Sequence, residues 1–167
     1  LVVDKRINPD HLLTGDRNAM LIAIRVSGYG NEYATKISCP ACNNTDRYSF
    51  DLNTVKISPN ADEQLAELGV VDNGDGTFNT KLPQTKLDIK FRLLRGQDEK
   101  NLLNGMKSDR KQNIHERGVT RSLKNFIVSA NNNDTAEAIN YVVANIPSMD
   151  SRHLRLAYKL AAPNVDL

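Results

Sequence analysis

Tryptophan is absent from the 167 residues, aromatic residues make up 5% and there are two cysteines. Two cysteines are too few for a disulfide framework, and so few aromatics leave little with which to stack the bases of single-stranded nucleic acid. Charge of one sign is lacking as well. With 22 basic against 20 acidic side chains the formal net charge is +2, which excludes the strong basic field of a DNA-coating protein and names no partner. The longest apolar run, Ala19 to Ile24, falls far short of the ~20 residues of a membrane helix, and no charged-then-apolar leader opens the chain. The chain is therefore expected to be soluble, free of membrane contact and not secreted. Because it begins with Leu1 rather than methionine, we expect it to be a segment of a longer chain. What remains, 40% hydrophobic and 25% charged residues, is enough for a real core in one domain or two small ones.

The patterning that is present divides the chain. Thr14 is placed to cap a helix with Asp16 in its first turn. Ala19 to Val26, interrupted only by Arg25, reads as a helix buried on most sides and ended by Ser27-Gly28-Tyr29-Gly30. Glu32 to Ile37 is a β-type segment, and Tyr48, Phe50 and Leu52 alternate onto one face of a second strand. The two form a hairpin with Cys39-Pro40-Ala41-Cys42 at its turn. Asp62 to Leu68 reads as a short helix. Asp72-Asn73-Gly74-Asp75-Gly76 then joins Val70-Val71 to Thr77-Phe78 as a hairpin. Leu87, Ile89, Phe91 and Leu93 point inward from a strand expected to pair with the one before Pro83.

From Gln97 the spacing turns helical. Asp98 and Glu99 open a helix that Lys107, Arg110 and Lys111 close, with Leu102, Leu103 and Met106 as its buried stripe. Leu123, Phe126, Ile127 and Ala130 predict a second helix. Ile139, Val142, Val143 and Ile146 predict a third, capped by Asp134, and Met149 to Ala161 a last one stopped at Pro163. No repeat or low-complexity tract interrupts this order. The expected fold class is α+β: an N-terminal helix, a zinc-ribbon-like β-hairpin, a small antiparallel sheet and a C-terminal helical bundle. We divide it into a helix, hairpin and sheet region at 1–95 and a helical region at 96–167 packed against the first.

The cysteine pair is the motif with chemical content. Two thiolates two residues apart in a tight turn can bind one tetrahedral metal ion, and a strand-turn-strand setting is that of a zinc knuckle. A redox pair shares the spacing but places its second half at the start of a helix, whereas Cys42 is followed by Asn43-Asn44-Thr45-Asp46 and a strand. Structural zinc on Cys39 and Cys42, a plain reduced pair and a redox pair are the three readings, redox the weakest. Zinc needs two more ligands. They could include His11, His115 or His153, come from another chain, or lie beyond Leu167, but no histidine sits at ligand spacing and each reads as an exposed helix or loop residue.

Other motifs carry less. Asp72 to Gly76 lacks the ligand alternation and closing glutamate of a calcium loop and reads as a turn. His115 and Glu116 are adjacent and diverge on a helix, so they make no acid-base pair. Gly28-Tyr29-Gly30 ends a helix where a phosphate loop would begin one. No nucleophile elbow or dinucleotide fingerprint is present, and no enzyme is expected. Arg152, Arg155 and Lys159 share one face of the last helix, read as a solvated face ahead of a docking surface for an acidic partner, with nucleic acid third.

With these segments placed, the chain resembles the baseplate hub protein family of T-even-like (myovirus) contractile-tailed bacteriophages. The resemblance lies in Leu13-Thr14-Gly15-Asp16-Arg17, Gly28-Tyr29-Gly30-Asn31-Glu32-Tyr33, and Ile37-Ser38-Cys39-Pro40-Ala41-Cys42 leading to Phe50-Asp51-Leu52. It continues through Lys81-Leu82-Pro83, the strand Ile89 to Leu94 and Asp98-Glu99. It is strongest in Ile127-Val128-Ser129, Ile146-Pro147-Ser148-Met149-Asp150-Ser151-Arg152 and Pro163-Asn164-Val165-Asp166-Leu167.

The resemblance implies a second cysteine pair beyond Leu167, so that Cys39 and Cys42 are half of a Cys₄ structural zinc site. It implies a structural subunit of the tail baseplate, hub or wedge, present in several copies per virion and assembled in the host cytoplasm. Such a subunit would bind other baseplate or tail proteins through its helical half and sheet edges, without nucleic acid. An assembly chaperone that leaves the particle and a zinc-ribbon nucleic-acid module are the rival readings.

Overall fold

Turn chemistry sets the middle of the chain. In the computed structural model, which describes residues 8–58, 61–111 and 118–166, Asp72 Oδ1 accepts a hydrogen bond from the Gly74 N–H at 2.8 Å and Asp75 Oδ1 one from the Thr77 N–H at 2.9 Å. Gly74 and Gly76 take φ of +72° and +80°, so the expected turn forms where only glycine turns freely.

The elements follow in order. The first half holds α1 (Thr14–Tyr29), β1 (Glu32–Ser38), β2 (Thr45–Asp51), β3 (Lys56–Ser58), α2 (Asp62–Glu67), β4 (Val70–Asp72), β5 (Thr77–Lys81) and β6 (Asp88–Arg92). After them come α3 (Gly96–Lys111), α4 (Gly118–Phe126), β7 (Ile127–Ala130), α5 (Ala136–Asn145), α6 (Ser148–Ala161) and β8 (Asn164–Asp166). The α+β class with an N-terminal helix, small antiparallel sheets and C-terminal helices is as expected. Three sheets form: β1 with β2, β3 with β8, and a four-stranded antiparallel sheet β4-β5-β6-β7. Among the described residues no helix is long and apolar enough to cross a membrane.

The fourth strand corrects the sequence reading. Ile127 and Ala130 do not continue the helix of Leu123 and Phe126. Residues 127–130 pair instead with β6, Ile89 opposite Ala130 and Phe91 opposite Ile127, with a register shift between Lys90 and Phe91. The β-branched Ile127-Val128 suits a strand, and the free edge of β6 supplies the hydrogen bonds. One face of this sheet builds the core: Phe78, Ile89 and Phe91 are buried against Leu123 and Phe126 of α4 and Leu154 and Ala157 of α6. Phe91 stacks on Phe78 at 5.4 Å, meets Phe126 edge-on at 6.1 Å, and Phe126 stacks on Tyr158 at 5.0 Å.

Three further expectations are corrected. Helix α1 is not buried on most sides; none of its residues is buried, and its contacts with α3, β8 and the turn at Leu52–Thr54 are sparse. Its cap position is Leu13, and the Thr14 hydroxyl donates to the Leu94 carbonyl at 3.2 Å instead. Helix α5 is capped by Thr135, whose Oγ1 accepts from the Ala138 N–H, and not by Asp134. Helix α3 buries Gly96 and Asp109 and leaves Leu103 half exposed, so its expected apolar stripe is not buried. Ion pairs hold it in place: Asp98 takes a two-pronged contact from Arg92 at 2.8 and 2.9 Å, Glu99 pairs with Arg17, and Asp109 with Arg121.

Candidate metal centre and interaction surface

Pairing of Ser38 with Thr45 leaves residues 39–44 as the loop of the β1–β2 hairpin, with both cysteines in it. The Cys39 N–H donates to the Asn44 carbonyl and the Asn43 N–H to the Cys39 carbonyl, each at 2.8 Å, while Asn43 takes the left-handed conformation at φ +55° that asparagine tolerates. The loop aims the backbone N–H groups of Cys42 and Ala41, and then the Cys42 thiol, at the Cys39 sulfur, and these hydrogen bonds hold its pKa below the ordinary thiol value. Cys39 is half-buried, Cys42 is exposed, and they are not bridged.

This donor set fits half of a tetrahedral thiolate site, because N–H groups directed at sulfur stabilise the charged form that binds metal. Among the described residues no three His, Cys, Asp or Glu side chains gather for a metal ion. His11 lies exposed in the short turn Pro9–His11. His153 is not an exposed helix residue as expected: it is half-buried on α6 with its Nε2 2.9 Å from Thr80 Oγ1. His115 and Glu116 lie outside the described residues. No helix starts at Cys42, so the feature that activates redox cysteine pairs is missing here.

The hairpin is two-faced. Cross-strand register sets Tyr33 opposite Phe50, Thr35 opposite Tyr48 and Ile37 opposite Asp46 on one face, and Lys36 opposite Arg47 on the other. Rings run along the first face, Tyr33 to Phe50 at 5.5 Å and Phe50 to Tyr48 at 5.8 Å. At its base this face meets α1 in an apolar groove lined by Leu21, Ile22, Arg25, Tyr33, Phe50 and Leu52, with a volume of about 260 Å³. A second apolar groove of about 410 Å³ flanks α1 on its other side, between Ala19, Ile22, Ala23 and Val26 and the turn at Leu52–Val55. Leu21 and Tyr48 are 56% and 54% exposed, and Met20, Ile24 and Ile37 are exposed as well.

The run Leu13-Thr14-Gly15-Asp16-Arg17 anchors this unit to the rest of the molecule. The Thr14 N–H and hydroxyl both donate to the Leu94 carbonyl, at 3.1 and 3.2 Å, and Arg17 reaches Glu99. Gly15 lies so close to Pro163 that a Cβ there would collide with the Pro163 carbonyl oxygen. The glycine is required by close approach, a role that spacing in the sequence does not reveal.

Two polar clusters elsewhere escaped the sequence reading because their partners are far apart in the chain. Asp150 is fully buried and accepts from the Gln84 N–H at 2.8 Å, the Thr85 N–H at 2.9 Å and the Thr85 hydroxyl at 2.7 Å. Burial opposes its charge, but these hydrogen bonds prevail and hold its pKa below the usual carboxylate value. The sequence Thr80, His153, Asp150 has the residue types of a hydrolytic triad, yet the Thr80 hydroxyl is buried and Asp150 is committed to the backbone at residues 84–85. It is a packing network. Arg152, Arg155 and Lys159 are exposed on α6, as a solvated face requires.

Residues 2–77, which span α1, the cysteine hairpin and the strands up to the start of β5, match the family model described as T4 bacteriophage base plate protein. No curated protein and no solved structure matches the chain. Through this amino-terminal segment the chain is similar to the T4-like bacteriophage baseplate proteins.

Proposed function

We propose that the chain is a structural subunit of the hub or wedge region of a contractile tail baseplate, acting by protein–protein contacts in tail assembly and not as a catalyst. One observation carries this reading. Among the described residues, the segment that matches the family exposes more large apolar side chains than it buries, the reverse of the rest of the chain. Among the described residues of 2–77 the buried apolar ones are Leu52, Leu65 and Val70, while Met20, Leu21, Ile24, Tyr29, Tyr33, Ile37, Tyr48 and Val71 are exposed. Exposed apolar surface on this scale marks an interface. It favours α1 and the hairpin as the contact surface over the helical half that the resemblance suggested. A nucleic-acid role fits poorly, because the aromatic face and the Lys36–Arg47 face of the hairpin point in opposite directions, so stacking and phosphate contact cannot be made together.

In this reading Cys39 and Cys42 hold a structural zinc ion with two ligands from outside the described residues, and the metal supplies only a closed cross-link at the hairpin tip. The particle itself provides the test. Mass spectrometry of purified virions is expected to find the chain in the tail fraction in several copies. Its absence from mature particles, with presence in assembly intermediates formed in the host cytoplasm, would replace the subunit reading with that of a departing chaperone.

A further inference from the structure

We infer that the zinc site begun by Cys39 and Cys42 is completed by the same two cysteines of a second copy of the chain, two hairpin tips meeting end-on with the metal on their two-fold axis. The inference rests on the metal reading above and names the source of its outside ligands. The 167 residues hold two cysteines, and among the described residues no third His, Cys, Asp or Glu side chain joins them. A structural zinc site is closed by four protein ligands, so one pair of thiolates is half a site. The paired positions from Glu32–Asp51 to Ser38–Thr45 carry the loop ~20 Å from the base of the hairpin. Residues 40–44 of that loop are all exposed. The tip is therefore open to a partner that arrives along the hairpin axis. It is also ordered in advance: the Cys39–Asn44 and Asn43–Cys39 backbone hydrogen bonds and the Ser38–Thr45 hydroxyl contact fix the loop before metal binds. Two identical loops, each giving two thiolates, make a closed tetrahedral set by symmetry alone. On binding, four thiols release their protons to solvent and four zinc–sulfur bonds form, with no change of oxidation state.

Charge favours two cationic tips around one metal. Zinc with four thiolates is a dianion. Lys36 stands across the strands from Arg47, two positions below the Ser38–Thr45 closure and ~7 Å down the ribbon, within a Debye length of ~8 Å. Both side chains are exposed and neither makes an ion pair with a described residue, Asp46 lying on the opposite face of the hairpin. In a pair of copies, two such cation pairs flank the dianion and offset it. Without metal the same cations repel one another, so the contact forms only around the ion.

Titration of the full chain with zinc under reducing conditions, read by sedimentation velocity and elemental analysis, tests this. The metal-free chain is expected to sediment as a monomer, and zinc to convert it to a dimer holding one ion per two chains, reversed by chelation. Cobalt in place of zinc is expected to give the absorption of a tetrahedral four-thiolate site at the same ratio. Cys42→Ser is expected to abolish both dimer and metal binding, and Lys36→Glu with Arg47→Glu to raise the zinc dissociation constant by about tenfold or more. Arg155→Glu on the exposed face of α6 is expected to change neither. A monomer with one zinc ion of its own would overturn the inference and keep the metal reading; a chain that takes up no zinc would sink both. A dimer that forms without metal, or a cobalt spectrum that lacks four thiolates, also counts against the shared site. Should Cys42→Ser misfold, the ion-to-chain ratio and the cobalt spectrum of the parent decide. Presence of the chain in virions tests the baseplate reading separately, and no outcome of the titration bears on it.

Discussion

Gly15 and Asp150 show how single residues join distant parts of this chain. Replacing Gly15 with alanine improves helix propensity by about 1 kcal/mol, but the added carbon meets a backbone oxygen that no rotamer change can move. The clash prevails, and Gly15→Ala is expected to lower stability by about 1–3 kcal/mol, read as a lower midpoint in urea at unchanged slope. Asp150→Asn leaves at least one N–H of residues 84–85 without its acceptor in these part-buried hydrogen bonds, a loss of about 1–3 kcal/mol at pH 7. Because the folded carboxyl titrates below its unfolded value, its contribution is present above pH ~4 and is lost as pH falls through the folded pKa. The gap between parent and Asp150→Asn is therefore expected to shrink on acidification. His153 acts at higher pH. Burial lowers its pKa, so the unfolded chain takes up the proton first and stability declines as pH drops below ~6.5; His153→Gln is expected to flatten that slope in urea titrations from pH 7 to 5.

Among the elements, the cysteine hairpin is the least supported by packing. Its base rests on α1 through Tyr33 and Phe50, while its tip has only the turn hydrogen bonds and the Ser38–Thr45 hydroxyl contact at 3.0 Å. If zinc closes the tip, full-length protein is expected to contain the metal by elemental analysis, and Cys39→Ser to lower both metal content and thermal midpoint. Chelation should speed amide exchange in Glu32–Asp51 and leave the β4–β7 sheet unchanged; metal-free full-length protein would refute the site. Both hairpins were legible in the sequence because turns are written locally, in Asn-Gly-Asp-Gly and in Cys-Pro-Ala-Cys. Strand β7 was not. Its residues follow an amphipathic helix whose apolar spacing runs on into Ile127 and Ala130, and pairing with β6, some forty positions back, is a non-local decision. The sequence of helix α1 reads as buried for a related reason. An all-round apolar helix has the same sequence whether its cover comes from its own chain or from another.

At the scale of the whole molecule, burial is polarised. The core lies between the β4–β7 sheet and α4, α5 and α6, whereas α1 and the hairpin attach to it through Thr14–Leu94, Arg17–Glu99, the Gly15–Pro163 contact and the β3–β8 pair. Amide exchange is accordingly expected to be slowest in Thr77–Arg92 and faster in Glu32–Asp51 in dilute solution. The Gly15–Pro163 contact and the β3–β8 pair also carry a consequence for timing. They join positions far apart in the sequence, so during translation α1 and the hairpin leave the ribosome on the order of 10 s before Pro163 at ~5–20 residues per second. Through that interval the apolar face is already made while its own anchor is not.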